Sequence, residues 1–373
     1  MKTTSSRSVV QDLLEPAGVR LDGERPWDIR VHDSDLFDRI LSGGSLALGE
    51  SYMDGWWDCE ALDGFFDRIL QSRLDQKVRR SPRTLWYCAR AALTASPGRS
   101  RAYEIGKHHY DIGNDLFSAM LGRWMAYSCA YWKDAGSLDE AQEAKLELIC
   151  RKLDLQPGMR LLDIGCGWGA LAEYAARHYG VEVLGITVSA EQVDLARRLC
   201  DGLPVTIELK DYRDLEAVYD RVVSVGMFEH VGASHYRTFM RQVRRCLAPD
   251  GLFLLQTIGN NESVRSCDPW ISKYIFPNSM LPSSRQIATA AEGIFVLEDW
   301  HSFGPDYDRT LMAWHRNFTD GWDGLEAAYD GRFFRMWHYY LMASAGGFRA
   351  RRNELWQIVF SRNGLRQGYR SIR

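Results

Sequence analysis

The chain has 373 residues, of which 46% are hydrophobic and 25% are charged, and its formal net charge is −3. This composition fits a globular protein of one large or two modest domains, and the negative balance excludes a protein that binds polyanions through its overall charge. The sequence shows no run of about 18 apolar residues, and its N-terminus lacks the apolar core of a signal peptide. Since the eight cysteines form no CxxC pair, we expect a cytoplasmic protein with free thiols, whose contact with any membrane is peripheral.

Basic residues are concentrated in two segments. Residues 71–109 carry nine Lys and Arg against Asp75 and Glu104, and residues 332–373 carry nine Arg against Glu354. Such segments are typical of solvated faces, but they also attract membrane phosphates or nucleic acid. We expect lipid and no nucleic acid, because the net charge is negative and no motif for reading nucleic acid is present. The 13 Trp residues fit either a Trp-rich core or the lining of a pocket for an apolar or cationic guest.

The first 100 residues predict short helices and turns. Residues 81–100 have an apolar middle, with basic residues and Pro towards both ends, which fits a linker or a membrane-facing helix. The side chains expected to meet lipid phosphates and the membrane interface are Arg79, Arg80, Arg83, Trp86 and Tyr87.

Strands and helices alternate after Ser137. Ser137 and Glu140 have capping-box spacing, which predicts a helix to about Leu153. The predicted strands that follow are MRLLDI, VEVLGITVS, VTIELKDYR, DRVVSVGMF and GLFLLQTIG, and the first three are separated by the predicted helices WGALAEYAARHYG and AEQVDLARRLCDG. Continuous apolar strands separated by helices predict a doubly wound parallel sheet, which carries its chemistry on loops at the C-terminal ends of the strands.

A glycine-rich turn, Asp163-Ile-Gly165-Cys-Gly167-Trp-Gly169, joins the first of these strands to its helix. A dinucleotide site has a similar turn, but this one does not follow the pyrophosphate pattern, and the second strand ends at Thr187 without the acid that holds a nicotinamide ribose. Together with Asp163 before the first Gly, these features favour S-adenosylmethionine over NAD.

Five side chains are predicted to bind this cofactor. Asp163 can accept from the backbone or from an ammonium group, and Thr187 and Gln192 can bond ribose hydroxyls. Asp211 can accept from the adenine amine, and Tyr212 can cover the adenine ring. The alternative roles are structural: Gln192 has capping-box spacing from the Ser at position 189, Asp211 could cap a loop, and Tyr212 could simply pack.

Long motifs resemble those of a known family. In chain order they are GESYMDGWWDC, GKHHYDIGNDLF, MAYSCAYW, AQEAKL, LLDIGCGWG, GITVSAEQ, DYRDL, SVGMFEHVG, DPWISKYIFPN, EDWHSFGPDYDRTLMAW and FRARRNELWQIVFSR. From about residue 10 to its C-terminus, the chain is similar to bacterial cyclopropane-fatty-acyl-phospholipid synthases. The resemblance implies a doubly wound, seven-stranded class I methyltransferase sheet of Rossmann-like type in residues 101–373, and a smaller, mainly helical, lipid-engaging domain in residues 1–100.

The resemblance also implies an activity. Such enzymes transfer a methylene group from S-adenosylmethionine to a cis double bond of a phospholipid acyl chain, with bicarbonate as the base. They are commonly homodimers, and the resemblance implies peripheral association with the inner face of the membrane. By motif, the residues implied to hold bicarbonate are Cys129, Glu229, Ile258 and Tyr307, and those implied to bind the cofactor include Tyr127 and Ser128. The sequence departs from the family at Gln256, where His is usual, and at Ser344, where Cys is usual.

Glu229 follows an apolar strand directly and is the residue most closely tied to this chemistry. Methyl transfer leaves a cation on the acyl chain, so the pocket must exclude water. Burial raises the pKa of a carboxyl group, and a protonated Glu229 could donate to bicarbonate beside Gln256 and Tyr307. Glu229 could also be the base itself or cap the next helix, Gln256 could be a satisfied strand-end amide, and His230 could support the loop.

Other functions remain open on the sequence alone. The departures at Gln256 and Ser344 keep an unsaturated-lipid C-methyltransferase in view, with a methylene, methyl-branched or hydroxylated product. A lipid- and cofactor-binding protein with little catalysis is disfavoured by the glycine turn and Glu229, and a nicotinamide dehydrogenase by Thr187. We expect no metal site.

Overall fold

A computed structural model describes residues 5–74, 112–264 and 266–373. The predicted lipid-contacting segment, with residues 79–87, lies outside these residues, as does the domain boundary predicted between residues 100 and 101. The chain divides into two compact units. The first comprises Met1–Met120, Asp268–Pro277 and Leu311–Arg352, and the second comprises Leu121–Cys267, Asn278–Thr310 and Asn353–Arg373.

Helices and strands are numbered in chain order over the described residues. The helices are α1 (Ser6–Leu14), α2 (Leu36–Met53), α3 (Leu62–Gln71), α4 (Asn114–Leu121), α5 (Leu138–Lys152), α6 (Ala170–Tyr179), α7 (Ala190–Leu199), α8 (Tyr236–Cys246), α9 (Pro269–Tyr274), α10 (Ser284–Ala291), α11 (Pro305–Asp320) and α12 (Gly331–Arg349). The strands are β1 (Arg30–Val31), β2 (Trp57–Asp58), β3 (Arg160–Ile164), β4 (Glu182–Thr187), β5 (Val205–Leu209), β6 (Tyr219–Val225), β7 (Leu247–Asn260), β8 (Val296–Ser302) and β9 (Asn353–Ser361).

The first unit is mainly helical, with a short antiparallel pair formed by β1 and β2. Its core packs α12 against α3 so closely that a Cβ added at Gly346 would lie 2.6 Å from the Phe66 Cβ. Four tryptophans of this unit, Trp57, Trp270, Trp314 and Trp337, are each less than 2% exposed. For these four residues, the interpretation as a Trp-rich core is confirmed.

Much of the basic C-terminal segment is engaged within the protein. Four of its arginines form ion pairs with N···O distances of 2.6–3.1 Å: Arg332–Asp54, Arg335–Asp58, Arg349–Asp63 and Arg373–Asp299. Arg366 and Arg370 are exposed. Part of this charge therefore stabilises the fold, and part faces solvent.

The second unit is built on a seven-stranded sheet with the order β5-β4-β3-β6-β7-β9-β8. The five strands β3 to β7 are parallel, as predicted, whereas β9 pairs antiparallel with both β7 and β8. Apolar clusters lie on both faces, with α5, α6 and α7 on one side and α8 and α10 on the other. The doubly wound α/β class is confirmed, and the sheet is mixed rather than wholly parallel.

Three helices of this unit, α5, α6 and α7, form where the sequence predicts them. Ser137 and Glu140 form the complete capping box at the start of α5, and Leu153 is its C-cap. Helix α6 ends at Tyr179 with Gly180 as its C-cap, and Ser189 caps α7 by accepting from the Gln192 N–H. These caps satisfy backbone groups that the helix ends leave free.

In the described part of the chain, no helix is both long and apolar enough to cross a membrane. Among the same residues, no group of three His, Cys, Asp or Glu is placed to hold a metal ion. The seven cysteines within the described ranges are free thiols, six of them buried.

Candidate active site

The glycine turn lies where β3 ends, at the C-terminal edge of the sheet. Gly165 and Gly167 have φ values of +85° and +55°, a left-handed conformation that glycine adopts without steric cost. A Cβ added at Gly165 would lie 2.8 Å from the Met227 Cβ, whereas one added at Gly167 would meet no atom within 4 Å. The turn thus packs on the end of β6 at Gly165 and faces open space at Gly167, which fits a ligand lying against the backbone.

Asp163 precedes this turn at the end of β3 and is only 2% exposed. Burial raises the pKa of its carboxyl group to about 7, and the nearby Lys145 opposes that shift. A cationic neighbour favours the charged form of this buried carboxyl group. This agrees with the prediction that Asp163 accepts from the ammonium group of the cofactor.

Thr187 and Gln192, both predicted to bind ribose hydroxyls, are joined to each other at the end of β4. The Thr187 hydroxyl donates to Gln192 Oε1 over 2.6 Å. The Gln192 side chain is therefore bonded to the strand end. Gln192 also takes part in the cap of α7, because its backbone N–H donates to the Ser189 hydroxyl oxygen.

Asp211 and Tyr212 lie after β5, at the next strand end along this edge. Both Asp211 carboxylate oxygens accept from the Arg213 guanidinium, at 2.9 and 2.7 Å, and the Arg213 backbone N–H also donates to this carboxylate. The Tyr212 ring makes an edge contact with Phe239. Asp211 therefore caps its loop and Tyr212 packs against a neighbouring ring, which are the structural roles given as alternatives. Both residues are half-buried, and both lie at the strand end where the adenine is predicted.

The irregular segment 126–132, between α4 and α5, contains three predicted site residues, Tyr127, Ser128 and Cys129. Helix α5 holds this segment from one side. Gln142 Nε2 donates to the carbonyl oxygens of Ala126 and Ser128 at 3.1 and 3.0 Å, and Lys145 Nζ donates to the Ser128 hydroxyl oxygen at 3.0 Å.

The first turns of α11 hold the same segment from the other side. The Thr310 hydroxyl oxygen accepts from the Ala130 N–H and from the Trp132 indole, and the Asp306 carboxylate accepts from the Trp132 N–H at 2.7 Å. Tyr307 lies between these two residues on α11 and is 7% exposed. The structure therefore brings the turn that carries Tyr307 to the segment that carries Cys129.

Cys129 is fully buried, and its thiol donates to the Ala130 carbonyl oxygen. Burial raises the pKa of this thiol well above its ordinary value. The side chain is thus a neutral thiol, and it does not offer a thiolate to the site.

Glu229 lies in a short 3₁₀ turn, Phe228–His230, directly after β6, and is 4% exposed. Its Oε1 accepts from the Ile258 N–H on β7 over 2.6 Å, while its buried Oε2 has no hydrogen-bond partner. Burial raises the pKa of the carboxyl to about 7. The structure therefore joins two predicted site residues, Glu229 and Ile258, and leaves one carboxyl oxygen available; it does not use Glu229 as a helix cap.

Gln256 lies on β7 at the same edge, opposite Val225 of β6. Its Oε1 accepts from Gln357 Nε2 on β9 at 2.8 Å, and its own Nε2 is buried with no partner. The amide is thus satisfied at one end only, and the donor end remains for a ligand.

Ser344 lies in the middle of α12, in the first unit, and is half-buried. The other predicted site residues all belong to the second unit. Four further residues that hold the site were not predicted: Gln142, Lys145, Thr310 and Gln357. The AQEAKL motif contains the first two at a spacing of three, which places them on one helix face.

Comparison with known proteins identifies the family. The mycolic acid cyclopropane synthetase family matches residues 98–358 of the chain. The chain is also 55% identical over 361 residues to the cyclopropane-fatty-acyl-phospholipid synthase of Escherichia coli strain K12, which covers 96% of this chain and 94% of that protein. The chain belongs to the cyclopropane synthetase family. It is therefore an S-adenosylmethionine-dependent methyltransferase.

Two further proteins are similar to this chain at lower sequence identity. The tuberculostearic acid methyltransferase of Mycobacterium tuberculosis is 34% identical over 359 residues, covering 90% of this chain and 83% of that protein. Among solved structures, a mycolic acid cyclopropane synthase in complex with SAH and CTAB is 32% identical, with a TM-score of 0.63, and the match covers 69% of this chain and 97% of that one. The similarity to these proteins confirms the class I methyltransferase fold of this chain.

Proposed function

We propose that this cyclopropane synthetase transfers a methylene group from S-adenosylmethionine to the cis double bond of unsaturated phospholipid acyl chains. The observation that carries the proposal is the 55% identity, over nearly the full length of both chains, to the E. coli cyclopropane-fatty-acyl-phospholipid synthase. The buried carboxyl and amide at the strand edge support it, because ring closure needs a base that takes a proton from the new methyl group, in a pocket that keeps water from the cation.

The residues at the sheet edge fit the methyl donor. Gly167 leaves open space beside the turn, Asp163 offers a buried carboxyl, and Thr187 and Gln192 lie at the next strand end. The bound donor supplies an electrophilic methyl group. The chain's own contribution is to hold the donor close to the acyl chain in a fixed orientation.

Glu229 and Gln256 fit a small oxyanion such as bicarbonate. Gln256 Nε2 is a buried donor, and Glu229 Oε2 becomes a second donor when its carboxyl is protonated. Since the pKa of Glu229 is raised to about 7, this carboxyl can hold or release a proton near neutral pH. Bound bicarbonate would supply a base; Tyr307 and backbone groups of Cys129 and Ile258 complete the proposed set.

The proposal also includes association with the membrane that contains the phospholipid substrate. We place the enzyme at the inner, cytoplasmic face of the membrane as a peripheral homodimer that takes acyl chains from phospholipid. The exposed Arg366 and Arg370 support this part, because each basic residue near an anionic surface contributes about 1 kcal/mol of binding free energy.

A second candidate is a C-methyltransferase of unsaturated lipids that forms no ring. The similarity to a tuberculostearic acid methyltransferase over 90% of this chain favours keeping this candidate. Gln256 and Ser344, where the sequence departs from the synthase pattern, support it as well.

One assay separates the two functions. The protein is incubated with S-adenosylmethionine and vesicles of unsaturated phospholipid, and the acyl methyl esters are analysed by mass spectrometry before and after hydrogenation. We expect a gain of one CH₂ that resists hydrogenation. A gain that hydrogenates would instead indicate a methylene product, and unchanged lipid would reject both functions.

The Gln256→His substitution tests the proposed bicarbonate site. An imidazole at this position can carry a proton, which the amide cannot. We therefore expect higher activity or a changed dependence of the rate on added bicarbonate. If the rate of neither protein depends on bicarbonate, the anion is not part of this site.

A further inference from the structure

We propose that Lys145 is a positioning residue for the amino-acid end of S-adenosylmethionine, and that it provides, through Ser128, the positive charge that recognises the donor's carboxylate. This inference rests on the chain being an S-adenosylmethionine-dependent methyltransferase. It does not depend on the lipid product.

The hydrogen bond between Lys145 and Ser128 fixes how the serine hydroxyl is used. Lys145 is 2% exposed, and its Nζ lies 3.0 Å from the Ser128 Oγ. Because an ammonium group only donates, the serine oxygen is the acceptor of this bond. The hydroxyl hydrogen of Ser128 is therefore directed to another acceptor, and the adjacent cation makes it a stronger donor.

Lys145 itself needs an anionic partner. Its described hydrogen-bond partner is a neutral hydroxyl, although burying a charged ammonium group is costly unless it is paired. Burial lowers the pKa of Lys145 to about 8, and Asp163, whose own pKa is raised, compensates only in part. A bound carboxylate would hold Lys145 in its charged form.

Ser128 lies beside the end of β6, at the sheet edge that carries the glycine turn. A Cβ added at Gly226, the residue after β6, would lie 3.9 Å from the Ser128 Cβ. The neighbouring strand β3 ends in Asp163 and the glycine turn. Since S-adenosylmethionine carries an ammonium and a carboxylate on one carbon, Asp163 is suited to the first group and the Ser128–Lys145 pair to the second.

Binding calorimetry without lipid tests this assignment, with S-adenosylmethionine and decarboxylated S-adenosylmethionine as the two ligands. The decarboxylated compound keeps the ammonium and the sulfonium but lacks the carboxylate. We expect the wild-type protein to bind S-adenosylmethionine about 10- to 100-fold more tightly than the decarboxylated compound. In Lys145→Met this preference should fall below about 2-fold, with no loss of affinity for the decarboxylated ligand, because Lys145 acts through Ser128 on the carboxylate alone.

Lys152→Met is the matched control. Lys152 lies on the same helix, is fully buried, and its Nζ is 2.9 Å from His301 Nδ1. This variant should lower stability but keep the wild-type ligand preference. Ser128→Ala should also reduce the preference for S-adenosylmethionine over the decarboxylated compound. If Lys145→Met does not fold, Ser128→Ala is used in its place.

Two results would overturn the proposal. One is a wild-type protein that binds both ligands equally tightly. The other is a folded Lys145→Met protein, or its Ser128→Ala replacement, that keeps the wild-type preference or weakens both ligands by the same factor. Neither result would contradict the proposed lipid function, because that function is tested separately by the analysis of acyl methyl esters.

Discussion

Gln357 Nε2 donates to Gln256 Oε1 over 2.8 Å, between residues that lie directly opposite each other on β9 and β7. Both side chains are buried, with exposures of 0% and 1%. Since Gln357 occupies the oxygen of the Gln256 amide, the nitrogen of that amide is the end left for a ligand. Gln357 therefore determines which polar atom Gln256 presents at the strand edge.

Replacing Gln357 by Leu should reduce activity through Gln256. The substitution leaves Gln256 Oε1 buried without its donor, which costs about 1–3 kcal/mol of folding free energy. It also allows the Gln256 amide to turn. We expect turnover to fall about 10-fold, with no change in the affinity for S-adenosylhomocysteine, as measured by lipid assay and calorimetry.

Gln242→Leu is the control for that variant. Gln242 is a buried glutamine on α8 whose Nε2 donates to the Leu215 carbonyl oxygen at 2.7 Å. Its removal should lower stability by a similar amount without changing turnover per folded molecule. If Gln357→Leu also keeps its turnover, Gln357 has only a structural role.

Replacing Glu229 by Gln should separate cofactor binding from turnover. The amide oxygen can still accept from the Ile258 N–H, so we expect the fold and the binding of S-adenosylhomocysteine to persist. An amide cannot release or take up a proton in this pH range, and turnover should fall at least about 100-fold. The measurement is the rate of lipid conversion beside a binding isotherm.

A second carboxylate in the same unit provides the control for Glu229→Gln. Glu147 on α5 accepts from the hydroxyl groups of Tyr174 and Tyr179 at 3.1 and 2.9 Å. Glu147→Gln keeps an acceptor for both groups and should retain turnover. Normal turnover in Glu229→Gln would remove Glu229 from the mechanism.

The raised pKa of Glu229 also predicts a pH dependence of stability. The folded protein holds this proton up to about pH 7, whereas the ordinary value is 4.5, so the folded state binds more protons between these two values. Stability due to this group is therefore present below about pH 4.5 and is lost as the pH rises through 7. The loss amounts to about 3 kcal/mol.

Urea unfolding of the wild type and of Glu229→Gln between pH 5 and pH 8 checks this sign. The wild type should lose more stability over this range than the variant. Asp163 has a raised pKa as well, but it is present in both proteins and cancels in the comparison. Equal slopes for the two proteins would show that Glu229 is not protonated in the folded state.

Local sequence signals predicted helices α5, α6 and α7 and the five parallel strands, whereas α8, α10, α11 and α12 were not predicted. The capping box at Ser137 and the Gly at position 180 mark helix ends through contacts within a few residues, so the sequence alone contains the information. Strands β8 and β9 were not predicted from their pattern. Strand β9 pairs with β7 across about 100 positions and with β8 across more than 50, and no local periodicity reports such pairings.

The site was predicted in part for the same reason. Asp163 was predicted from its place before the glycine turn, and Glu229 from its position after an apolar strand together with the family resemblance. The partners that hold site residues come from distant positions: Gln357 is 101 residues from Gln256, and Thr310 is 180 residues from Ala130. Such contacts follow from the tertiary fold and leave no signal within a single motif.

Arg335 belongs to the basic C-terminal segment, but its guanidinium group is bound within the protein. On α12 it donates to the carbonyl oxygens of Tyr52 and Trp57, at 2.5 and 2.9 Å, and to the Asp58 carboxylate at 2.7 Å. Arg335→Gln removes most of these bonds. We expect the free energy of unfolding to fall by about 1–3 kcal/mol, as measured by urea denaturation.

The exposed residues Arg366 and Arg370 provide the comparison for Arg335. The double substitution Arg366→Gln, Arg370→Gln should change stability by less than about 0.5 kcal/mol per site. It should weaken binding to vesicles that contain anionic phospholipid, more so at low salt, because exposed charges act on a membrane over a Debye length. Arg335→Gln should leave vesicle binding per folded molecule unchanged. The opposite pattern, with lost vesicle binding in Arg335→Gln and none in the double variant, would assign the lipid contact to α12.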